Sequence, residues 1–196
     1  TCALESDGAV KCWGANYVGQ LGDGTFASRN FPARIRTLGS AATSIAMGRA
    51  SGCALLASGT MRCWGANEYY QLGTGSNVPA QITVPVTASV VSGTIVQMAP
   101  NTNHTCVLLS NGGVKCWGSN QNGTLGIGSS NAAPLPTPQT PTGLGSGVFR
   151  ISAGKEMTCV ILIGGALKCW GSNLQYQLGA GLAADEKIPN QVTGLT

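Results

Sequence analysis

Eight cysteines, one histidine and seven carboxylates are the side chains from which this 196-residue chain could assemble chemistry. The cysteines stand at 2 and 12, 53 and 63, 106 and 116, and 159 and 169, always ten positions apart. That spacing is wrong for the two-residue gap between ligands of zinc modules and suits a bridge across a hairpin. His104 stands alone. With no second histidine and no acid close by in sequence, neither a zinc site nor a catalytic triad can be built on it, and a structural hydrogen bond is expected instead. Asp7, Asp23, Glu68, Glu156, Asp185 and Glu186 do not recur in phase and form no evident acid–base pair. No catalytic residue, metal or cofactor is therefore expected, and the chain reads as a non-enzyme.

The elements that carry these residues repeat. Successive cysteine pairs begin 51, 53 and 53 residues apart, an internal repeat that sets the organisation of the chain. Trp follows at 13, 64, 117 and 170, Asn at 16, 67, 120 and 173, and Leu-Gly at 21–22, 72–73, 125–126 and 178–179, with a further Gly two positions later. Each unit reads as a hairpin: two short apolar runs around a turn containing Gly8, Gly59, Gly112 or Gly165. Antiparallel register places Cys2 opposite Cys12, and so for Cys53/Cys63, Cys106/Cys116 and Cys159/Cys169, at about 4.5 Å between Cα atoms. Four local disulfides are predicted, each worth roughly 2.8 kcal/mol in the chain-entropy account.

Another apolar strand precedes three of the hairpins, at 44–48, 96–99 and 149–154, and is missing ahead of the first. Gly48 and Gly154 are matched by Asn101, which predicts a left-handed turn at all three. The connector from Asn131 to Gly143 carries Pro134, Pro136, Pro138 and Pro141 and is expected outside, as loop or extended edge.

Composition narrows the class further. Charged residues make up 9% of the chain, against roughly 25% in an average soluble protein. With 43% hydrophobic residues this is no disordered chain, and no apolar run approaches membrane-helix length. A net charge of +4 does not by itself indicate a nucleic-acid binder. Lys11, Arg62, Lys115 and Lys168 occupy one equivalent position, with stems expected on neighbouring units and charges in solvent. Arg29, Arg34 and Arg36 read as a solvated loop.

Units of the form C-A-L-x-x-x-G-x-V-x-C-W-G-x-N-x-x-G-Q-L-G-x-G resemble the repeats of the regulator of chromosome condensation family, over essentially the whole chain. The resemblance implies an all-β fold of propeller-type blades, one four-stranded blade per repeat and seven in the usual ring. Four repeats are present here, at 1–37, 38–90, 91–143 and 144–196, the first without its leading strand. They are expected to form part of a ring, an open superhelix or filament, or a ring completed by another copy, because end blades need covering. The paired cysteines look like those of secreted bacterial members and argue for an extracellular or cell-surface protein.

Function then reads as a structural, adhesive or protein-interaction scaffold, whose partner is another protein or further copies of itself, without nucleic acid or membrane insertion. A secreted ligand- or enzyme-inhibiting propeller is the alternative, and a guanine-nucleotide exchange factor is disfavoured. The in-phase tryptophans read as packing between blades. The Gly-x-Gly pairs lack the further signature of a phosphate loop. Where the repeats differ, Tyr17, Tyr69, Tyr70 and Tyr176 are the candidate binding-loop residues. Two N-glycosylation patterns, at Asn103 and Asn122, arise inside repeat consensus residues.

Overall fold

A computed structural model of the chain describes residues 1–181 and 183–194, so the end of the fourth predicted repeat and residue 182 lie outside the described residues. The strands are β1 (Cys2–Leu4), β2 (Val10–Gly14), β3 (Arg29–Arg34), β4 (Ala42–Met47), β5 (Ser51–Leu56), β6 (Met61–Ala66), β7 (Gln81–Thr87) and β8 (Ile95–Pro100). They continue as β9 (His104–Leu109), β10 (Val114–Asn120), β11 (Asn131–Gln139), β12 (Val148–Gly154), β13 (Met157–Leu162), β14 (Leu167–Gly171) and β15 (Glu186–Gln191). Each sheet is a meander in chain order. The first has three strands, β1 to β3; the others have four, β4 to β7, β8 to β11 and β12 to β15.

These sheets are the blades, numbered one to four along the chain. Their leading strands lie side by side: β4 contacts β8, and β8 contacts β12.

The hairpins hold the cysteines in facing positions. Cys2 pairs with Cys12, Cys53 with Cys63, Cys106 with Cys116 and Cys159 with Cys169, and all four pairs are disulfide-bonded with Cα atoms 4.1 Å apart. Beside the first bridge, Thr1 and Trp13 exchange two backbone hydrogen bonds of 2.9 Å. Cys2 and Cys12 therefore sit at the adjacent non-hydrogen-bonded site, where side chains approach most closely.

The core lies between blades. Alternation along each strand sends the disulfide toward the following blade and the adjacent Trp toward the preceding one. Cys53, Met61, Cys63 and Leu72 of blade two thus pack on Ile95, Met98, Val107 and Trp117 of blade three. Cys106, Leu108, Val114 and Leu125 of blade three meet Ile151, Val160 and Trp170 of blade four in the same way.

Two expectations are corrected. None of Gly48, Asn101 and Gly154 takes a left-handed backbone. Gly48 is instead required by close approach: a Cβ there would run into the carbonyl of Asn101 in the next blade. The arginine-rich connector is not a loop either. Arg29 and Arg34 open and close outer strand β3, where Asp23 binds Arg29 and Asp7 reaches Arg34 at 3.5 Å, while Arg36 stands in the bend that follows. The Pro-rich segment is outer strand β11, on the edge where missing N–H groups are tolerated.

Pro32, Pro85, Pro138 and Pro189 recur on the four outer strands, each one residue before the partner of the second cysteine. Ile35, Ala88 and Val192 donate their N–H inward to Val10, Met61 and Leu167. By alternation Ala33, Val86 and Asn190 also face inward, so the nitrogens of Pro32, Pro85 and Pro189 point outward. Pro32 is exposed there, and the rim of blade one lacks an N–H donor at that point, a device that blocks strand addition, whereas Pro85 and Pro189 are buried.

Candidate functional site

The Trp-Gly-x-Asn and Leu-Gly-x-Gly motifs build one joint. Trp64, Trp117 and Trp170 are fully buried. Their indole N–H groups donate to the carbonyls of Gln20 (3.0 Å), Gln71 (3.2 Å) and Thr124 (2.9 Å) in the preceding blade. The next Leu-Gly runs beneath the ring, where a Cβ at Gly22 or Gly73 would stand 3.0 to 3.1 Å from indole atoms. The second glycine reaches the outer strand of the following blade: Gly24 N–H donates to Thr83 O at 2.9 Å and Gly128 N–H to Lys187 O at 2.8 Å.

The repeated asparagine organises the loop between the motifs. Asn16, Asn67, Asn120 and Asn173 are buried, and their Oδ1 atoms accept from the N–H of Leu21, Leu72, Leu125 and Leu178 at 2.9 to 3.2 Å. On the other side Nδ2 of Asn67 and Asn120 donates to Ser76 O and Ser129 O. A polar group buried this way must keep both sets of partners. The Asp23 carboxyl is raised by burial but hydrogen bonds from Thr25 and Arg29 outweigh that and hold it below its ordinary value.

With the loop backbone committed, the variable side chains project from it. At the loop end, the turns after β4 and β8 lie beside the loops of blades one and two. Together they line a cleft of about 490 Å³ crossing three blades, with Tyr17, Gln20, Arg49, Glu68, Tyr69 and Thr102 in its walls. Tyr17 is 76% exposed and Tyr69 half-buried. Among the described residues neither Arg49 nor Glu68 joins an ion pair.

Of the four candidate tyrosines, Tyr17 and Tyr69 thus come together and Tyr70 and Tyr176 do not join them. Those two occupy the left-handed position that is Gly19 in repeat one and Gly123 in repeat three, with φ of 63° and 57°. At Gly19 and Gly123 this position packs on the outer strand of the next blade, against Thr83 and Lys187. The contributions of Arg49 and Thr102 were not evident from sequence, since both lie far from the motifs along the chain; their only signal is that each sits at the turn just before a hairpin's first cysteine.

His104 is fully buried, and its Nε2 lies 2.9 Å from the Thr158 hydroxyl of blade four. Burial without a charged partner lowers its pKa from 6.5 to about 4. Among the described residues no group of three or more His, Cys, Asp and Glu side chains comes together as a metal site, and no helix is long and apolar enough to cross a membrane.

The regulator of chromosome condensation (RCC1) repeat matches residues 7–55, 58–108 and 111–161, and a second form of the repeat matches 42–71 and 95–124. The chain belongs to the RCC1 repeat family. Among its relatives is the RCC1 domain-containing protein RUG3, mitochondrial, of Arabidopsis thaliana, 31% identical over 204 residues, covering 100% of this chain and 45% of that protein. Human E3 ubiquitin-protein ligase HERC2 is 29% identical over 98% of this chain and 4% of its own length. Among solved structures, human WBSCR16 superposes with a TM-score of 0.88 at 27% identity, covering 98% of this chain and 50% of that one. Yeast RCC1, crystallised with Kap60 bound, gives 0.88 at 20% identity over 98% and 46%, a likeness of fold. This RCC1-repeat chain spans about half, or less, of the length of these relatives. The all-β propeller expected from the repeats is the observed fold.

Proposed function

We propose that this RCC1-repeat propeller is a non-catalytic protein-interaction scaffold that docks its partner at the loop end, through the cleft crossing blades one to three. The observation that supports this reading is the cleft itself. Two tyrosines stand there with a cation and an anion that join no ion pair among the described residues, beside loops whose backbone is held by buried asparagines. Tyrosine and arginine are the side chains most enriched where interfaces concentrate binding energy. The repeats divide in this reading at 1–37, 38–90, 91–143 and 144–196.

A photo-crosslinking amino acid at position 69, with a control at position 77, identifies the partner in the native source by mass spectrometry. Titration of that partner against Tyr17→Ala/Tyr69→Ala then checks the site. At least a tenfold loss of affinity is expected, and unchanged affinity removes the cleft from the reading. Tyr70→Ala/Tyr176→Ala serves as the comparison pair, expected to bind as the native chain does.

We further read the protein as extracellular, of the secreted bacterial type. Four disulfides suit an oxidising compartment and are rare in a reducing cytosol. Free thiols in protein isolated from its source would overturn this. A second reading is end-to-end association of copies. Light scattering over a concentration series distinguishes a growing species from a constant mass. A secreted inhibitor of an enzyme would use the same cleft. Nucleotide exchange on a GTP-binding protein is the remaining alternative, tested directly by release of a labelled nucleotide.

A further inference from the structure

At the hairpin-turn end, opposite the loop-end cleft, one place breaks the repeat. The leading strand of each four-stranded blade carries a bulge: pairing runs from Ala42 to Ser44, Ile95 to Gln97 and Val148 to Arg150, skipping Thr43, Val96 and Phe149. A bulged residue is turned out of the sheet. In blade two it is polar, and Thr43 Oγ1 donates to Leu55 O at 3.1 Å. In blades three and four it is apolar and open to solvent, with Val96 51% and Phe149 59% exposed.

A second position follows the same trend. Ala57, Ser110 and Ile163 are equivalent, and Ile163 is 76% exposed. The counterparts Thr43, Val96, Ala57 and Ser110 are all exposed although a further blade follows each of them. Exposure of Phe149 and Ile163 is thus a property of the position, not of the last blade.

These side chains converge. Val96, Leu109, Ser110, Asn111, Phe149 and Ile163 line one pocket of about 370 Å³ across the junction of blades three and four. No carboxylate is among its lining residues. The Arg150 guanidinium lies 5.2 Å from the centre of the Phe149 ring, so a cation stands at the pocket's edge. Among the described residues Arg150 forms no ion pair.

We propose that this pocket binds a short acidic segment of a partner protein by inserting one large apolar side chain between Val96, Phe149 and Ile163. An exposed apolar cluster marks an interaction site more often than chance burial would leave. The lone arginine and absent carboxylates select a flanking Asp or Glu on the partner. A single cation falls short of the basic clusters that hold anionic membranes, which favours a protein segment over a lipid surface.

Phe149→Thr/Ile163→Ala installs the residue types of blade two and preserves the backbone, which makes it the test variant. A random linear peptide library on phage is panned in parallel against the native chain and this variant. Selected peptides are labelled with fluorescein and titrated by polarisation. We expect a consensus with one large apolar residue beside Asp or Glu, at least tenfold weaker on the double variant. Arg150→Gln should weaken binding and flatten its salt dependence, while Tyr17→Ala/Tyr69→Ala should bind as the native chain does, which separates this site from the loop-end cleft. No enrichment, a consensus without acids, or equal binding to the double variant would each overturn the proposal.

Discussion

Trp117 of blade three donates its indole N–H to the carbonyl oxygen of Gln71 in blade two, and the same oxygen accepts the Thr105 hydroxyl at 2.7 Å. One backbone atom of one blade therefore anchors two side chains of the next. Trp117→Phe keeps most of the buried ring and removes one of these bonds. A loss of about 1 to 2 kcal/mol is expected, against about 3 to 5 kcal/mol for Trp117→Ala. Urea unfolding midpoints read the difference. A Phe variant as stable as the native chain would show that the indole hydrogen bond contributes nothing beyond packing.

Asn120 makes the same argument for the loop. In Asn120→Ala the Leu125 N–H and the Ser129 carbonyl both lose their partner. The cost is expected at about 1 to 3 kcal/mol for the buried groups left unpaired. Hydrogen exchange at the Leu125 amide should quicken more than exchange in the β9–β10 hairpin.

His104 predicts an acid-side loss of stability. Its folded pKa of about 4 lies below the 6.5 of the unfolded chain, so between these values the unfolded state binds the extra proton. Stability from this group is complete above pH 6.5, falls as pH drops toward 4, and levels off below it. The total is about 3 kcal/mol from the two pKa values. In His104→Gln this part of the pH dependence should vanish, which stability curves between pH 4 and 7 would reveal.

Pro32 predicts what keeps blade one from pairing edge to edge. Pro32→Val restores one outward N–H group on the exposed strand β3. Sedimentation velocity should then detect concentration-dependent association absent from the native chain. A variant that sediments identically would mean that edge pairing is blocked by something else.

Features repeated in phase were legible from the chain alone. The ten-residue cysteine spacing fixed hairpin register, and four tryptophans beside the bridges pointed to packing between blades. What escaped were features that depend on a neighbouring blade. Gly48 looked like a turn residue because its close contact, Asn101, lies in another repeat. The arginines at 29 and 34 looked like loop because β3 is an exposed edge strand with no alternating apolar face. The prolines at 32, 85, 138 and 189 were in plain view, yet their meaning required knowing which way each outer-strand N–H points. Tyr17 and Tyr69 meet Arg49 only because adjacent blades bring distant turns together.

The orientation of the disulfides has a mechanical consequence. Cys53, Cys63, Cys106 and Cys116 are wholly enclosed between blades, whereas Cys2 and Cys159 are partly open. A reductant must wait for neighbouring blades to part before it can attack the two inner bridges. Alkylation after timed exposure to a mild reductant should therefore mark Cys2–Cys12 and Cys159–Cys169 first, with the inner pairs following only at the rate of blade separation. The bridges act as a built-in clock for that opening, and thiol release reports how often neighbouring blades part.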